Sequence, residues 1–387
     1  MKRLAYLLAD FPVLSETFIG NEIRAMERHG HTVMPVIMNR RTGAAQPEDI
    51  DLADRSTLLS SLTSGPRALY GSGPRALRRA ERFIREQKML PALSLLYQGA
   101  RVARFLRQNR IDHLHAHFAG GAAAHAIVAA RLAGITVSFV CHGHDVYGEP
   151  EDLQAKLSHA DFIVAVCRDL ANDLGTIAPS AKIVDVPCGT NPSRFLPRET
   201  GEHNGRLLFV GRLVEQKGID DLLAALAALP IKERPRLDIV GDGPIRENLK
   251  DNGLRIGLRV EDMTFHGPKS AAWFAEHGPG YLGLVAPFKV GPDGARDTGP
   301  LVVKEAMAMG LPVVSTAFMG VKETVTPETG WLVPPADPVA LTDAIRNLLA
   351  QKPAERRAMA KAARARVEAH FTLDRSAQLL SAAIKAA

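Results

Sequence analysis

The sequence predicts an α/β protein with two doubly wound parallel sheets, and three observations carry that expectation. At 387 residues the chain is too long for one hydrophobic core and suits two. It opens with a strand–loop–helix–strand unit, and the pattern starts again near residue 206 with a strand, a Gly-punctuated turn and an amphipathic helix. Residues 296–316, RDTGPLVVKEAMAMGLPVVST, read as loop, short helix, turn and buried strand.

Composition narrows the class. Hydrophobic content of 46% with 23% charged residues is ordinary for a globular protein. Cys141, Cys167 and Cys188 are widely spaced and form no C-x-x-C, so neither a disulfide framework nor a zinc site is expected, and a reducing cytoplasm fits. The N-terminal MKRLAYLLAD starts like a signal peptide, but Asp10 stops the apolar run, so a strand is expected. No apolar stretch is long enough to span a bilayer. The net charge of +6 is uneven: residues 66–110 hold eleven Arg/Lys against Glu81 and Glu86, which is +9 and leaves −3 for the remainder.

In chain order, residues 2–9 should form the first strand, broken at Pro12. Ser15 is placed to cap a helix starting near Glu16, whose Ile19, Ile23 and Met26 repeat on one face. A second strand is expected over 32–38, and a polar surface excursion over 40–65. In the basic segment that follows, apolar residues are interleaved with arginines at helical spacing. Basic amphipathic helices of this kind bind anionic membrane surfaces. No aromatic platform or nucleic-acid module accompanies the charge, so nucleic acid is not an expected partner.

His113, His115 and His117 alternate along a presumed strand and share a face, but no metal site is assigned to them. The next strand, 136–141, delivers His142-Gly143-His144-Asp145 at its end. Two more buried strands are expected at 162–166 and 182–186, then a Gly/Pro-punctuated linker at 197–204. The second half begins with a strand at 206–210, closed by Gly211 and followed by Arg212, Lys217 and a helix. Two cations beside a helix N-terminus make an anion site. A strand at 237–240 ends in Gly241-Asp242-Gly243-Pro244, and another is expected at 281–287. In the 296–316 stretch, Pro300 suits the first helical position and Gly310 the left-handed residue after the helix. Asp297 then lies in the loop and Glu305 one turn inside the helix, roughly 10 Å apart at a rise of ~1.5 Å per residue. Helices at 337–349 and in the Ala/Arg-rich tail complete the chain.

Several of these motifs together resemble the retaining glycosyltransferases of family 4. The spacing of Asp297 and Glu305 resembles that family's E-x7-E, with Asp in place of the first Glu. FVGRLVEQKG (209–218) matches F-V-G-R-L-x-x-x-K-G, HGHD (142–145) resembles H-G-x-D, and VGDGP (240–244) matches V-G-D-G-P. HAHFA (115–119) resembles a segment of the same family, and the Ser15-Glu16-Thr17-Phe18 run is similar to a subgroup that builds bacterial exopolysaccharides and lipid-linked oligosaccharides, including colanic-acid-type enzymes.

The resemblance implies the GT-B fold, two Rossmann-like domains facing across a cleft. The domains expected are 1–195, binding acceptor, and 205–370, binding a nucleotide sugar, with a terminal helix at 371–387 crossing back. It implies a retaining hexosyltransferase that moves a sugar from a UDP- or GDP-sugar to a saccharide acceptor. The basic helices suggest that this acceptor is lipid-linked. His142, Asp145 and Asp297 would be catalytic or contact the donor sugar. Arg212 and Lys217 would hold the diphosphate without any metal cofactor, and Glu305 would bind the ribose. Backbone N–H groups near Thr298, Gly299, Pro300 and Leu301 would join Asp297 in holding the sugar hydroxyls, and Asp242 would help shape the floor of the nucleotide-sugar site. Ser15, Glu16 and Thr17 would form an acceptor-side loop. The expected place is the cytoplasm, peripheral on the inner face of the membrane. A nucleotide-sugar epimerase on the same fold and a non-catalytic partner in polysaccharide assembly are the rival readings.

Overall fold

The computed structural model describes residues 1–43, 45–63, 69, 71–198 and 202–387. Arg67 of the basic segment and residues 199–201 of the expected linker lie outside the described residues. The chain divides into two compact units, Met1–Pro187 with Leu373–Ala387, and Cys188–Thr372. The division falls at Pro187 rather than at 195, so residues 188–195 group with the second unit.

Unit 1 begins with β1 (Arg3–Phe11), α1 (Thr17–Arg28) and β2 (Thr32–Arg40). Both strands run two residues beyond the expected ends. Ser15 is not the helix cap: it lies exposed in a turn, and Glu16 holds the N-cap position without a side-chain capping bond. The supposed excursion contains structure, namely α2 (Pro47–Asp54) and the two-residue β3 (Thr57–Leu58). Helix α2 is held by the buried carboxylate of Asp49, which accepts a bond from Arg24 on α1 at 2.8 Å.

The basic segment forms α3 (Pro74–Glu86) and α4 (Ala92–Gln108). Next come β4 (His113–His117), α5 (Gly121–Ala133), β5 (Thr136–Cys141), α6 (Leu153–His159), β6 (Phe162–Ala165), α7 (Arg168–Ile177) and β7 (Ile183–Asp185). The seven strands are parallel in the order β3-β2-β1-β4-β5-β6-β7. Leu4, Leu7, Phe139 and Ile163 are fully buried, each worth about 1.5–3 kcal/mol relative to exposure. Strand β7 is an edge strand and only half-buried, unlike the buried strand expected there.

Unit 2 runs β8 (Leu207–Val210), α8 (Ile219–Ala227), β9 (Leu237–Val240), α9 (Arg246–Arg255), β10 (Met263–Gly267), α10 (Ala271–His277) and β11 (Gly283–Ala286). It continues with α11 (Leu301–Ala308), β12 (Val313–Thr316), α12 (Val321–Thr324), β13 (Gly330–Val333), α13 (Pro338–Ala350) and α14 (Pro353–His370). Its six parallel strands are ordered β10-β9-β8-β11-β12-β13. Phe209, Ile239, Val285 and Val314 meet Leu222, Leu226, Leu341 and Ile345 of α8 and α13 in one core. The order reverses between β8 and β11, as it does between β1 and β4 in unit 1. In open α/β sheets, ligands bind beyond the strand ends at such a reversal.

The last helix, α15 (Leu373–Ala386), belongs to unit 1. Lys2 Nζ donates to its Ile384 carbonyl at 2.8 Å, Ser376 Oγ donates to the Pro187 carbonyl at 2.6 Å, and His31 Nε2 bonds Ser381 Oγ at 2.8 Å.

Candidate active site

In unit 2, the residues that could hold an anion collect on the turns after β8 and β11. The β8 turn closes as a short 3-10 segment, Glu215–Lys217, and the Gly218 N–H donates to the Glu215 carbonyl at 3.0 Å. Gly218 has a φ of +65°, and a Cβ there would lie 1.9 Å from the Pro287 carbonyl oxygen. Only glycine lets the start of α8 press against the end of β11. The Lys289 N–H then donates to the Gln216 carbonyl at 3.0 Å, and Lys289 Nζ pairs with Asp220 (2.7 Å) and Asp221 (3.0 Å).

This packing presents Lys217 and Arg212 differently. Arg212 is exposed. Lys217 is mostly buried, sits 5.1 Å from the Phe288 ring centroid, and its ammonium donates to the carboxylate of Asp297. The cation assigned to a diphosphate and the acid assigned to sugar hydroxyls are therefore bonded to each other. Asp242 is exposed on the β9 turn, where its Oδ1 accepts the Gly243 N–H at 2.9 Å and its main-chain carbonyl accepts the Leu213 N–H at 2.9 Å.

Pro300 (φ −63°, ψ 117°) is the N-cap of helix α11, not its first helical residue, and Leu301 opens the helix. Thr298 is buried, and its carbonyl accepts the Gly320 N–H at 3.0 Å, which anchors the Thr298-Gly299-Pro300 entry. Gly310 takes the left-handed conformation (φ +67°) that closes the helix. Glu305 is half-buried on α11. Burial pushes its carboxyl up to about 7, against a downward pull from Arg194.

In unit 1, β5 delivers His142 as expected, and aromatic rings surround it. Phe18 lies 4.5 Å, Phe118 4.6 Å and His117 5.7 Å away between ring centroids. Burial, with His117 adding to it, pushes His142 down to about 3, so it is neutral. Asp145 is buried and engaged by main chain: Ala119 N–H donates to Oδ2 at 2.7 Å and His142 N–H to Oδ1 at 3.0 Å. It anchors the two loops that frame His142, a positioning task. His144 is exposed, 3.7 Å from Glu149. Ser15 is exposed, while Glu16 and Thr17 are half-buried at the start of α1.

Sequence reasoning passed over Tyr6 and Glu22, which lie beside the β4 histidines. Tyr6 Oη donates to Glu22 Oε1 at 2.9 Å. Burial alone would raise the Glu22 carboxyl, but His117 and His115 outweigh it and bring Glu22 to about 2. The available signal was an acid one residue from Ile23 on the buried stripe of α1. Arg194, the cation acting on Glu305, carried no motif.

The basic segment separates into two kinds of arginine. On α3, Arg75, Arg78, Arg79, Arg82 and Arg85 are exposed, and Leu77, Met89 and Leu93 are exposed nearby in sequence. On α4, Arg101 is buried and donates to the Ser60 (2.9 Å) and Leu62 (2.8 Å) carbonyls, and Arg107 donates to the Leu132 carbonyl at 3.1 Å. No helix among the described residues is long and apolar enough to cross a membrane.

Comparison with known proteins bears on the whole chain. Residues 15–194 match the family model described as Glycosyltransferase Family 4, and residues 204–351 match that described as Glycosyl transferases group 1. WcaL of Escherichia coli (strain K12), named as a colanic acid biosynthesis glycosyltransferase, is 27% identical over 405 residues, covering 95% of this chain and 96% of its own. The amylovoran biosynthesis glycosyltransferase AmsK of Erwinia amylovora is 26% identical over 416 residues, with the same coverage of 95% and 96%. Among solved structures, Anabaena Alr3699/HepE in complex with UDP superposes with a TM-score of 0.74 at 16% identity, covering 100% of both chains. Sucrose-phosphate synthase from Thermosynechococcus elongatus gives 0.71 at 22% identity, covering 100% of this chain and 99% of that one.

Proposed function

Because the chain belongs to the family 4/group 1 glycosyltransferases of GT-B fold and serves polysaccharide biosynthesis, we propose that it is a retaining hexosyltransferase using a UDP- or GDP-sugar donor. The observation that carries this reading is the turn after β8, with Lys217 half-sequestered against Asp297 and Arg212 exposed beside it. These cations stabilise the charge that develops on the leaving diphosphate, and preformed charge of this kind usually lowers such a barrier more than any other effect. They take the place of a divalent metal at that step. Glu305, on α11, accepts hydrogen bonds from the ribose hydroxyls.

The bond from the anomeric carbon to the diphosphate oxygen breaks, and a bond to the acceptor oxygen forms on the same face. The leaving phosphate oxygen takes the acceptor's proton. Asp297 and the N–H groups at the start of α11 hold sugar hydroxyls, and His142 is a donor-sugar contact. The acceptor is lipid-linked, and the exposed arginines of α3 hold the protein on the anionic cytoplasmic leaflet.

The test incubates the protein with a panel of UDP- and GDP-hexoses, with and without membrane-extracted lipid-linked acceptor, and reads the product linkage by NMR. A product with the donor's anomeric configuration, formed only with acceptor present, supports the reading. Donor turnover without acceptor favours an epimerase, and absence of nucleotide binding favours a non-catalytic partner. An inverted linkage overturns the retaining assignment.

A further inference from the structure

The three histidines of β4 are not equivalent, and their hydrogen bonds separate them. His113 has both ring nitrogens engaged, Nδ1 by Thr136 Oγ1 and Nε2 by Ser138 Oγ, each at 2.7 Å. It is a satisfied core residue. His115 and His117 each have only Nδ1 engaged, at 2.6 Å from Ser138 Oγ and 3.4 Å from His142 Nε2. The Nε2 atoms of both are buried and make no hydrogen bond of normal geometry. Such atoms are rare in folded proteins and call for an explanation.

Both orphaned nitrogens face one acid: Glu22 Oε1 lies 3.5 Å from His115 Nε2 and 3.3 Å from His117 Nε2. The three donor atoms all lie within 4.8 Å of one another. We propose that Glu22, His115 and His117 form a site for one divalent transition-metal ion of the zinc class. Ligand atoms about 2.1 Å from a shared ion lie at most about 4.2 Å apart, so only a small inward adjustment is needed. Two imidazoles and one carboxylate suit zinc, cobalt or ferrous iron over magnesium or calcium, which prefer all-oxygen sites.

The surroundings match what a metal-bound histidine requires. Its far nitrogen needs a partner that fixes the tautomer, and Ser138 and His142 take that place for His115 and His117. Tyr6 Oη donates to the ligating carboxylate and orients it. In the tautomer that donates Nδ1–H outward, each Nε2 turns a lone pair toward the Glu22 carboxylate, and a cation is what reconciles these facing acceptors. Glu22 retains 19% side-chain exposure, which leaves a path for entry. The site lies wholly within unit 1 and does not depend on the donor-binding reading of unit 2.

The experiment strips the full-length protein with chelator, titrates it with Co2+ and follows ligand-field absorption, with Zn2+ and Mg2+ as competitors. One equivalent of Co2+ should bind, be displaced by Zn2+ and be unaffected by Mg2+. Glu22→Gln, a near-isosteric change, should abolish the signal, and Tyr6→Phe should weaken binding by about 10-fold. Zn2+ should also raise the melting temperature of the wild type but not of Glu22→Gln. Failure of the wild type to bind Co2+ or Zn2+ stoichiometrically overturns the proposal, as does undiminished binding by a Glu22→Gln/His115→Ala variant. The first result would assign the cluster to two Nε2–H groups directed at Glu22.

Discussion

Lys217 and Asp297 are bonded to each other across the turns that follow β8 and β11, 80 positions apart in the chain. Each therefore fixes the other's position. Replacing Lys217 by Ala should lower kcat/KM by about 100-fold or more, because a preformed charge opposite the leaving group is lost. Arg212→Ala should act in the same direction. Both side chains of the pair are less than one quarter exposed, so a cycle with Asp297→Asn should give a coupling energy of about 0.5–3 kcal/mol in urea unfolding. Additive losses would mean that the pair does not act as a unit.

Glu305 makes the protein's behaviour depend on pH near neutrality. Its folded value of about 7 lies above the ordinary 4.5, so the folded state holds a proton that the unfolded state releases between those values. Its contribution is fully present below about 4.5 and is lost as pH rises through about 7. Unfolding free energies of wild type and Glu305→Gln, compared at pH 5 and pH 8, should show the variant gaining relative to wild type at pH 8. Nucleotide affinity should rise from pH 6 to 8 in the wild type as the carboxylate ionises, and that rise should vanish in Glu305→Gln.

Asp145 and His142 should separate stability from turnover. Asp145→Ala leaves the buried Ala119 N–H and the part-buried His142 N–H without their acceptor, at a cost of up to about 1–3 kcal/mol each. His142→Ala should unfold at nearly the wild-type denaturant concentration yet transfer sugar far more slowly. Equal loss of turnover in both variants at unchanged stability would place Asp145 in the chemistry itself.

Helix α3 should carry most of any attachment to anionic lipid. Replacing Arg75, Arg78 and Arg79 by Ala removes about 3 kcal/mol at about 1 kcal/mol per residue near the leaflet, or roughly 100-fold in partitioning. Sedimentation with phosphatidylglycerol vesicles measures this, phosphatidylcholine vesicles being the control. Arg101→Ala should instead destabilise the fold, since that side chain ties α4 to the Ser60 and Leu62 carbonyls. Vesicle binding insensitive to the α3 change would remove the membrane assignment.

The amino-acid sequence by itself determined the elements whose signals are local. Strands β5 and β9 lie where their β-branched runs place them, and α11 ends at Gly310 because a left-handed residue must follow it. The strands that escaped notice, β3, β10 and β13, are all edge strands, short and partly exposed. The family motifs located Lys217, Asp297, His142 and Glu305 without saying which would touch. Tertiary structure alone decided that Lys217 bonds Asp297, that His115 and His117 turn their free nitrogens on Glu22, and that Arg101 serves the core while Arg75 faces solvent. The physical reason is range. Helix, strand and turn preferences act over a few neighbouring residues, whereas a side chain's partner depends on which strands a parallel sheet sets side by side.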